Sequence, residues 1–236
     1  MSRNVRLVLF DAMHTLVRPA APVGETYGTA FTRHGLGLFN STQVENAFKL
    51  SIDRVKQNQP LLREADTTQW WQLVIRMTAV ESGADSSRVA KVIPKLYEEL
   101  VTAFRDRNAY EVYDDVKSTL KALKELNLRL GVVTNSDSRI RSVLQDVQIA
   151  DYLDPIVVSQ EEGIEKPDTG IWTRALERAG VDAASTLHVG DSEERDFNGA
   201  LRAGLHALLL RRDNQEGLTT DEVSDLYGVV RWVKSA

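Results

Sequence analysis

Hydrophobic positions along the chain follow three different rules. The first stretch is a near-continuous apolar run, Val5-Arg6-Leu7-Val8-Leu9-Phe10, which stops at Asp11. A short run rich in Val and Leu predicts a strand buried on both faces of a parallel sheet. Pro19 and Pro22 then bracket a linker from Val17 to Val23. The second stretch has helical spacing and no strong strand signal. It predicts helices over Val23–His34, Thr42–Gln57, Thr67–Glu81 and Ser86–Phe104. Their apolar stripes include Tyr27, Ala30 and Phe31; Val44, Phe48, Ile52 and Val55; Trp70, Trp71, Val74 and Met77; and Val89, Val92, Leu96 and Leu100. Thr67 or Thr68 is the expected N-cap of the third helix, and Gly83 lies just past its end.

From about Asp115 helices and short apolar runs alternate. Helices over Val116–Leu126, Ser138–Val147, Thr169–Ala179 and Glu194–Ala203 precede strands over Leu128–Thr134, Pro155–Val158, Thr186–Val189 and Ala207–Leu210. Such alternation predicts an α/β fold with a doubly wound parallel sheet. Residues 1–17 and 107–236 then form one core domain, and residues 18–106 are a helical insertion between its first strand and the others. No internal repeat or low-complexity segment interrupts the pattern.

Composition narrows the function classes. The chain has 236 residues, no cysteine and a formal net charge of -5. Absence of cysteine excludes disulfides, thiolate chemistry and Cys-ligated metals. The negative balance argues against general affinity for nucleic acid or an anionic membrane. Residues 1–20 lack a signal-peptide pattern, and no run approaches the ~20 apolar residues of a membrane span. A cytoplasmic location is the default expectation.

The candidate chemistry sits where apolar runs end. In open α/β sheets the ligand crevice lies at the carboxyl ends of the strands. The first run ends in Asp11 and is followed by Thr15; the second ends in Thr134-Asn135; a third cluster is Glu165-Lys166-Pro167-Asp168; a fourth is Gly190-Asp191-Ser192, followed by Asp196. Phosphoryl transfer asks for such a set. A carboxylate nucleophile divides one hard step into two, Mg²⁺ takes hard oxygen ligands, and Lys and Thr hold phosphate oxygens. On this reading Asp11 is nucleophile and metal ligand, Asp191 a second ligand, and Gly190 lets the backbone come close.

Each residue also has a structural reading. Asp11 and Asn135 suit turns, Thr134 suits a strand end, Lys166 a solvated surface, and Asp191 and Asp196 the first turn of a helix. His188, inside an apolar run, reads as structural. So does His206. Arg211-Arg212 reads as a short surface charge run, and Lys49, Lys56, Lys91 and Lys95 as solvated helix faces. Of Trp70 and Trp71, about 100° apart on a helix, both suit a core, although one ring would also suit a cleft. The joint occurrence of four polar clusters in this order, each after an apolar run, favours the chemical reading of the strand ends.

These segments resemble, in order, the four motifs of the haloacid dehalogenase (HAD) superfamily of hydrolases. Gly24-Glu25-Thr26-Tyr27, His34-Gly35, Trp70-Trp71 and Thr134-Asn135-Ser136-Asp137-Ser138-Arg139 are similar to its subfamily of HAD-like hydrolase domain-containing protein 3. The resemblance implies a Rossmann-like core with a C1-type helical cap, an Asp nucleophile and Mg²⁺. By motif match Asp11 is the nucleophile. Thr134, Asn135 and Lys166 bind phosphate. Asp11, the backbone carbonyl of Met13, Asp191 and Asp196 serve the metal, the last often through water. The implied partner is a small phosphorylated metabolite, for a chain that is a monomer or homodimer.

One position departs from the pattern. Superfamily phosphatases carry a second Asp two residues after the nucleophile, as general acid and base. Here Met13 stands there, and a thioether neither gives nor takes that proton. His14 and Glu25 are the candidate replacements, although His14 also suits local packing and Glu25 a helix first turn. The departure implies slow turnover or a good leaving group. It also keeps open a metal-free 2-haloacid dehalogenase, phosphonatase-like chemistry through a cap lysine, and a silent binding protein.

Overall fold

The architecture is described from a computed structural model, for residues 4–58, 66–214 and 216–235. In chain order the elements are β1 (Leu7–Phe10), β2 (Val17–Pro19), α1 (Val23–Arg33), α2 (Ser41–Asn58), α3 (Thr67–Glu81), α4 (Ser86–Ala103) and β3 (Tyr110–Val112). Then come α5 (Val116–Glu125), β4 (Arg129–Thr134), α6 (Ile140–Asp146), β5 (Ile156–Val158), α7 (Ser159–Glu162) and α8 (Gly170–Ala179). The chain closes with β6 (Thr186–Gly190), α9 (Gly199–Arg202), β7 (His206–Leu210), β8 (Glu222–Val223) and α10 (Tyr227–Lys234).

The chain divides into two compact units, Met1–Arg18 with Val112–Ala236, and Pro19–Glu111. The first holds a six-stranded parallel sheet in the order β5-β4-β1-β6-β7-β8. Its strands are short and apolar because both faces are covered. On one face Val8, Phe10, Leu130, Val132, Leu187 and Val189 pack against Val116, Leu120 and Leu123 of α5, Leu144 of α6 and Val229 of α10. On the other, Leu7, Leu9, Val133 and Val157 pack against Ile171, Trp172 and Ala175 of α8. Helices on both faces of a parallel sheet make this an α/β Rossmann-like fold. β1 lies between β4 and β6, with Phe10 level with both Val132 and Val189. The carboxyl ends of these three strands therefore open side by side.

Among the described residues, the second unit buries Tyr27, Phe31, Val44, Ile75, Val89, Leu96 and Leu100 from α1, α2, α3 and α4. Trp70 and Trp71 stand edge to face at 5.0 Å and both pack among apolar neighbours of this unit. β2 and β3 pair as a two-stranded sheet where the chain leaves and re-enters the first unit.

Several expectations need correction. Neither Thr67 nor Thr68 is the N-cap of α3. Asp66 holds that position in αR geometry without a side-chain cap bond, whereas capping needs an extended residue there. The helix expected over Glu194–Ala203 is a π-turn over Glu193–Asn198 followed by the single turn of α9. The chain crosses between the two compact units at Arg18/Pro19 and Glu111/Val112. β2, β3, β8 and α7 carry no clear periodic signal, since they have only two to four residues each; α10 is an eight-residue helix beyond the elements expected above.

Candidate active site

Asp11 follows the last residue of β1, and its N–H donates to Val189 O of β6 at 2.9 Å. This main-chain bond continues the β1–β6 ladder one residue past the strand and fixes where the carboxylate begins. Asp11 is 8% exposed, which makes an unpaired charge expensive. Its partner comes from 155 residues away. Lys166 Nζ donates to Asp11 Oδ1 at 2.7 Å and to Asp196 Oδ1 at 2.6 Å. Lys166 is 2% exposed, so its alternative reading as a solvated surface lysine does not hold. Burying its ammonium is tolerable because two carboxylates compensate it.

Asn135 explains how Lys166 arrives. Its side-chain Nδ2 donates to Lys166 O and its Oδ1 accepts from Lys166 N, both at 2.8 Å. Both ends of the amide are committed to the Lys166 main chain. Its side chain therefore holds the lysine loop against the end of β4. Thr134, also buried, has its Oγ1 3.2 Å from Ser136 Oγ. Ser136 O in turn accepts from Gln160 N and Ser159 Oγ, and Gln160 Oε1 accepts from Ser138 N.

Asp196 is buried as well, carried inward by the π-turn. In that turn Phe197 N–H reaches Ser192 O, five residues back, and Asp196 N–H reaches the same oxygen. Its Oδ2 accepts from Ser192 N at 2.9 Å. A Cβ at Gly190 would lie 2.3 Å from Asp196 Cγ. Glycine is thus required at the end of β6 by the carboxylate packed against it. A π-turn inside a helix commonly marks a functional site. Asp196 is not the cap of this turn; Ser192 is, with its side chain accepting from Arg195 N.

Composition and periodicity missed one participant, His188. It is fully buried, and its Nε2 lies 3.1 Å from Asp196 Oδ1, the oxygen that also takes Lys166. Trp172 meets its ring edge-on at 5.5 Å. The available signal was parity. Leu187 and Val189 point to the α5 face, so His188 points to the α8 face.

The charges of the cluster pull on one another. Burial pushes the Asp11 carboxyl above its ordinary range, against the pull of Lys166, and the nearby Asp196 and Asp191 add to it. Burial would also raise Asp196, but Lys166 and His188 outweigh it and hold this carboxylate well below the usual range. Burial works against the Lys166 ammonium, yet Asp11 and Asp196 keep its proton on more firmly than in water. Burial pushes His188 down, so its ring is neutral near pH 7. Asp191, whose side chain keeps solvent contact, is raised by partial desolvation and then by Asp196.

Asp11, Asp191 and Asp196 each offer an oxygen within 4.8 Å of the others. Three carboxylates and no thiolate suit a hard divalent cation. Both oxygens of Asp196 already accept hydrogen bonds from the protein. Met13 belongs to the turn after Asp11, with its side chain packed against the α5-side core. His14 is exposed, with a left-handed backbone at φ 60°.

Residues 8–210 match the family model described as haloacid dehalogenase-like hydrolase. Haloacid dehalogenase-like hydrolase domain-containing protein 3 of Danio rerio is 35% identical over 216 residues, 90% of this chain and 88% of that protein. Among solved structures, a HAD phosphatase from Thermococcus onnurineus superposes with a TM-score of 0.66 at 22% identity, covering 96% of this chain and 97% of that one. A 2-haloacid dehalogenase from Pseudomonas syringae does so at 0.64 and 23%, covering 97% and 99%. One fold is thus shared with a phosphatase and with a dehalogenase.

Proposed function

The chain belongs to the haloacid dehalogenase-like hydrolase family, and from that premise we propose that it is a Mg²⁺-dependent phosphatase acting on a small phosphorylated metabolite. The observation that carries this reading is the charge of the cluster. Three carboxylates, Asp11, Asp191 and Asp196, face the one ammonium of Lys166, a surplus of two negative charges. A metal-free attack on an anionic haloacid would work against that surplus. A divalent cation cancels it and suits the oxygen donors present.

In this scheme the Asp11 carboxylate attacks phosphorus. The bond from phosphorus to the leaving oxygen breaks as the bond to Asp11 forms, and water then releases phosphate from the acyl phosphate. Lys166, steadied by Asn135, and Thr134 hold the phosphate oxygens. Asp11, Asp191 and the Met13 carbonyl would hold Mg²⁺, which supplies screening between the anionic nucleophile and the anionic substrate. Asp196, occupied by Lys166, His188 and Ser192, would add negative charge beside the metal. Residues 18–106, the helical insertion, would select the substrate as a cap.

Met13 sets the limits of this activity. General acid–base catalysis is worth about 10²–10⁴-fold, and its side chain offers none. The favoured substrates therefore have leaving groups that depart without a proton. Among the described residues no helix is long and apolar enough to cross a membrane.

The test is hydrolysis of p-nitrophenyl phosphate by wild type and Asp11→Asn, with and without Mg²⁺. Mg²⁺-dependent release that disappears in Asp11→Asn supports the reading. No release from wild type, together with halide release from 2-chloropropionate, would replace it with the dehalogenase reading.

A further inference from the structure

Arg211-Arg212 reads in sequence as a surface charge run, but Arg212 is largely buried, its side chain only 16% exposed. Its Nη1 and Nη2 donate to Asp115 Oδ2 and Oδ1 at 3.0 and 3.1 Å, a bidentate pair. Its Nη2 also donates to Thr15 O at 2.7 Å. Its guanidinium carbon lies 3.8 Å from the centroid of the Tyr113 ring. Asp115 is itself fixed. It stands at the N-cap of α5 without capping it, and its Oδ2 accepts from Leu226 N at 2.7 Å.

Thr15 belongs to the turn that leads the chain away from Asp11. The turn closes on itself, with Leu16 N and Val17 N donating to Ala12 O and His14 N to Val17 O. Two carbonyls of this turn reach the Arg212–Tyr113 pair: Thr15 O accepts from Arg212 Nη2, and Leu16 O accepts from Tyr113 N at 3.3 Å. The second is long, and Tyr113 lies under Arg212 in any case. We propose that Arg212, locked by Asp115, is a positioning residue that holds the turn after Asp11 and thereby fixes the approach of the Asp11 carboxylate and the Met13 carbonyl. A guanidinium is suited to this. Its planar fork gives two donors to the carboxylate and still directs one to a carbonyl, while its face covers an aromatic ring. A lysine in its place keeps the charge and loses the fork.

The test compares Arg212→Ala, Arg212→Lys and Asp115→Asn with wild type, at a temperature where circular dichroism shows each folded. Two readouts are taken: amide hydrogen exchange of residues 12–17 against that of β7, and kcat and KM on p-nitrophenyl phosphate. Exchange in the turn should quicken about ten-fold or more in Arg212→Ala while β7 stays as in wild type. kcat should fall by about 10–100-fold with KM little changed, because a small misplacement of a reacting group costs that much. Free guanidinium, far below denaturing concentration, should restore protection to Arg212→Ala and not to Asp115→Asn. Arg212→Lys should fall between the two.

Unchanged exchange in the turn would overturn the proposal. So would a loss of protection spread equally over the turn and β7, which marks a merely structural residue. Should Arg212→Ala not fold, Arg212→Lys and Asp115→Asn decide on the same two readouts. Only the kinetic arm rests on the phosphatase reading. A wild type that hydrolyses nothing, with a turn freed by Arg212→Ala, would refute that reading and leave this one standing.

Discussion

Replacing Lys166 by Met removes the cation between two buried carboxylates while keeping most of the side-chain volume. Lys166 Nζ is 2.7 Å from Asp11 Oδ1 and 2.6 Å from Asp196 Oδ1. At an effective dielectric of about 20, each pairing has a Coulomb energy of about 6 kcal/mol, before the cost of desolvating three groups. Removal of one member of a buried pair costs about 3–5 kcal/mol in practice, because the remaining charge is left uncompensated. At roughly 2–4 °C per kcal/mol for a protein of this size, the melting temperature should drop by roughly 6–20 °C. The loss should be smaller in acid. Asp11 is already raised above its unfolded value of 3.8, and without Lys166 it rises further. In the window between those values the folded state binds more protons than the unfolded state, so stability falls as pH rises through it. Mg²⁺ should stabilise Lys166→Met more than wild type, because it replaces the missing positive charge. The assay is thermal unfolding at pH 5 and pH 8, with and without Mg²⁺. A melting temperature within about 2 °C of wild type, unmoved by Mg²⁺, would refute the argument that this triad depends on its lysine.

Asn135→Ala removes the clip on the Lys166 main chain; kcat on p-nitrophenyl phosphate should fall about ten-fold or more, with Mg²⁺ half-saturation little changed. His188→Phe keeps the ring against Trp172 and removes one bond to Asp196 Oδ1. It should cost about 1–3 kcal/mol in urea unfolding and leave Mg²⁺-dependent activity detectable. Met13→Asp should raise turnover of alkyl phosphates, up to about 10²-fold or more, and that of p-nitrophenyl phosphate far less, since the added acid matters only where the leaving group needs a proton.

The sheet was legible because burial on both faces leaves runs such as Leu7–Phe10 and Leu130–Val133 almost wholly apolar. The points where those runs end in Asp11, Thr134 and Asp191 were legible for the same reason. What joins the ends was not. Lys166 owes its burial to the Asn135 clip and to two carboxylates that meet only after folding. Asp196 owes its inward turn to a π-turn that looks like an ordinary helix start in sequence. Arg212 and Asp115, 97 residues apart, are brought together by the packing of α5 and α10 beside β7. Periodicity tells which face a residue takes, and it says nothing about which partner comes to meet it. Elements of two to four residues, such as β2, β3 and β8, are too short to carry any period.

The most direct test of Asp11 as a phosphoryl acceptor is the mass of the protein, acid-quenched within milliseconds of mixing with Mg²⁺ and p-nitrophenyl phosphate. The account predicts a population heavier by one phosphoryl group, with the addition mapped to Asp11, labile to hydroxylamine and absent from Asp11→Asn. Slow release, expected from Met13, should make that population easy to trap. Nitrophenol release by wild type with no covalent adduct on Asp11 at any quench time, or with the adduct on another residue, would contradict it.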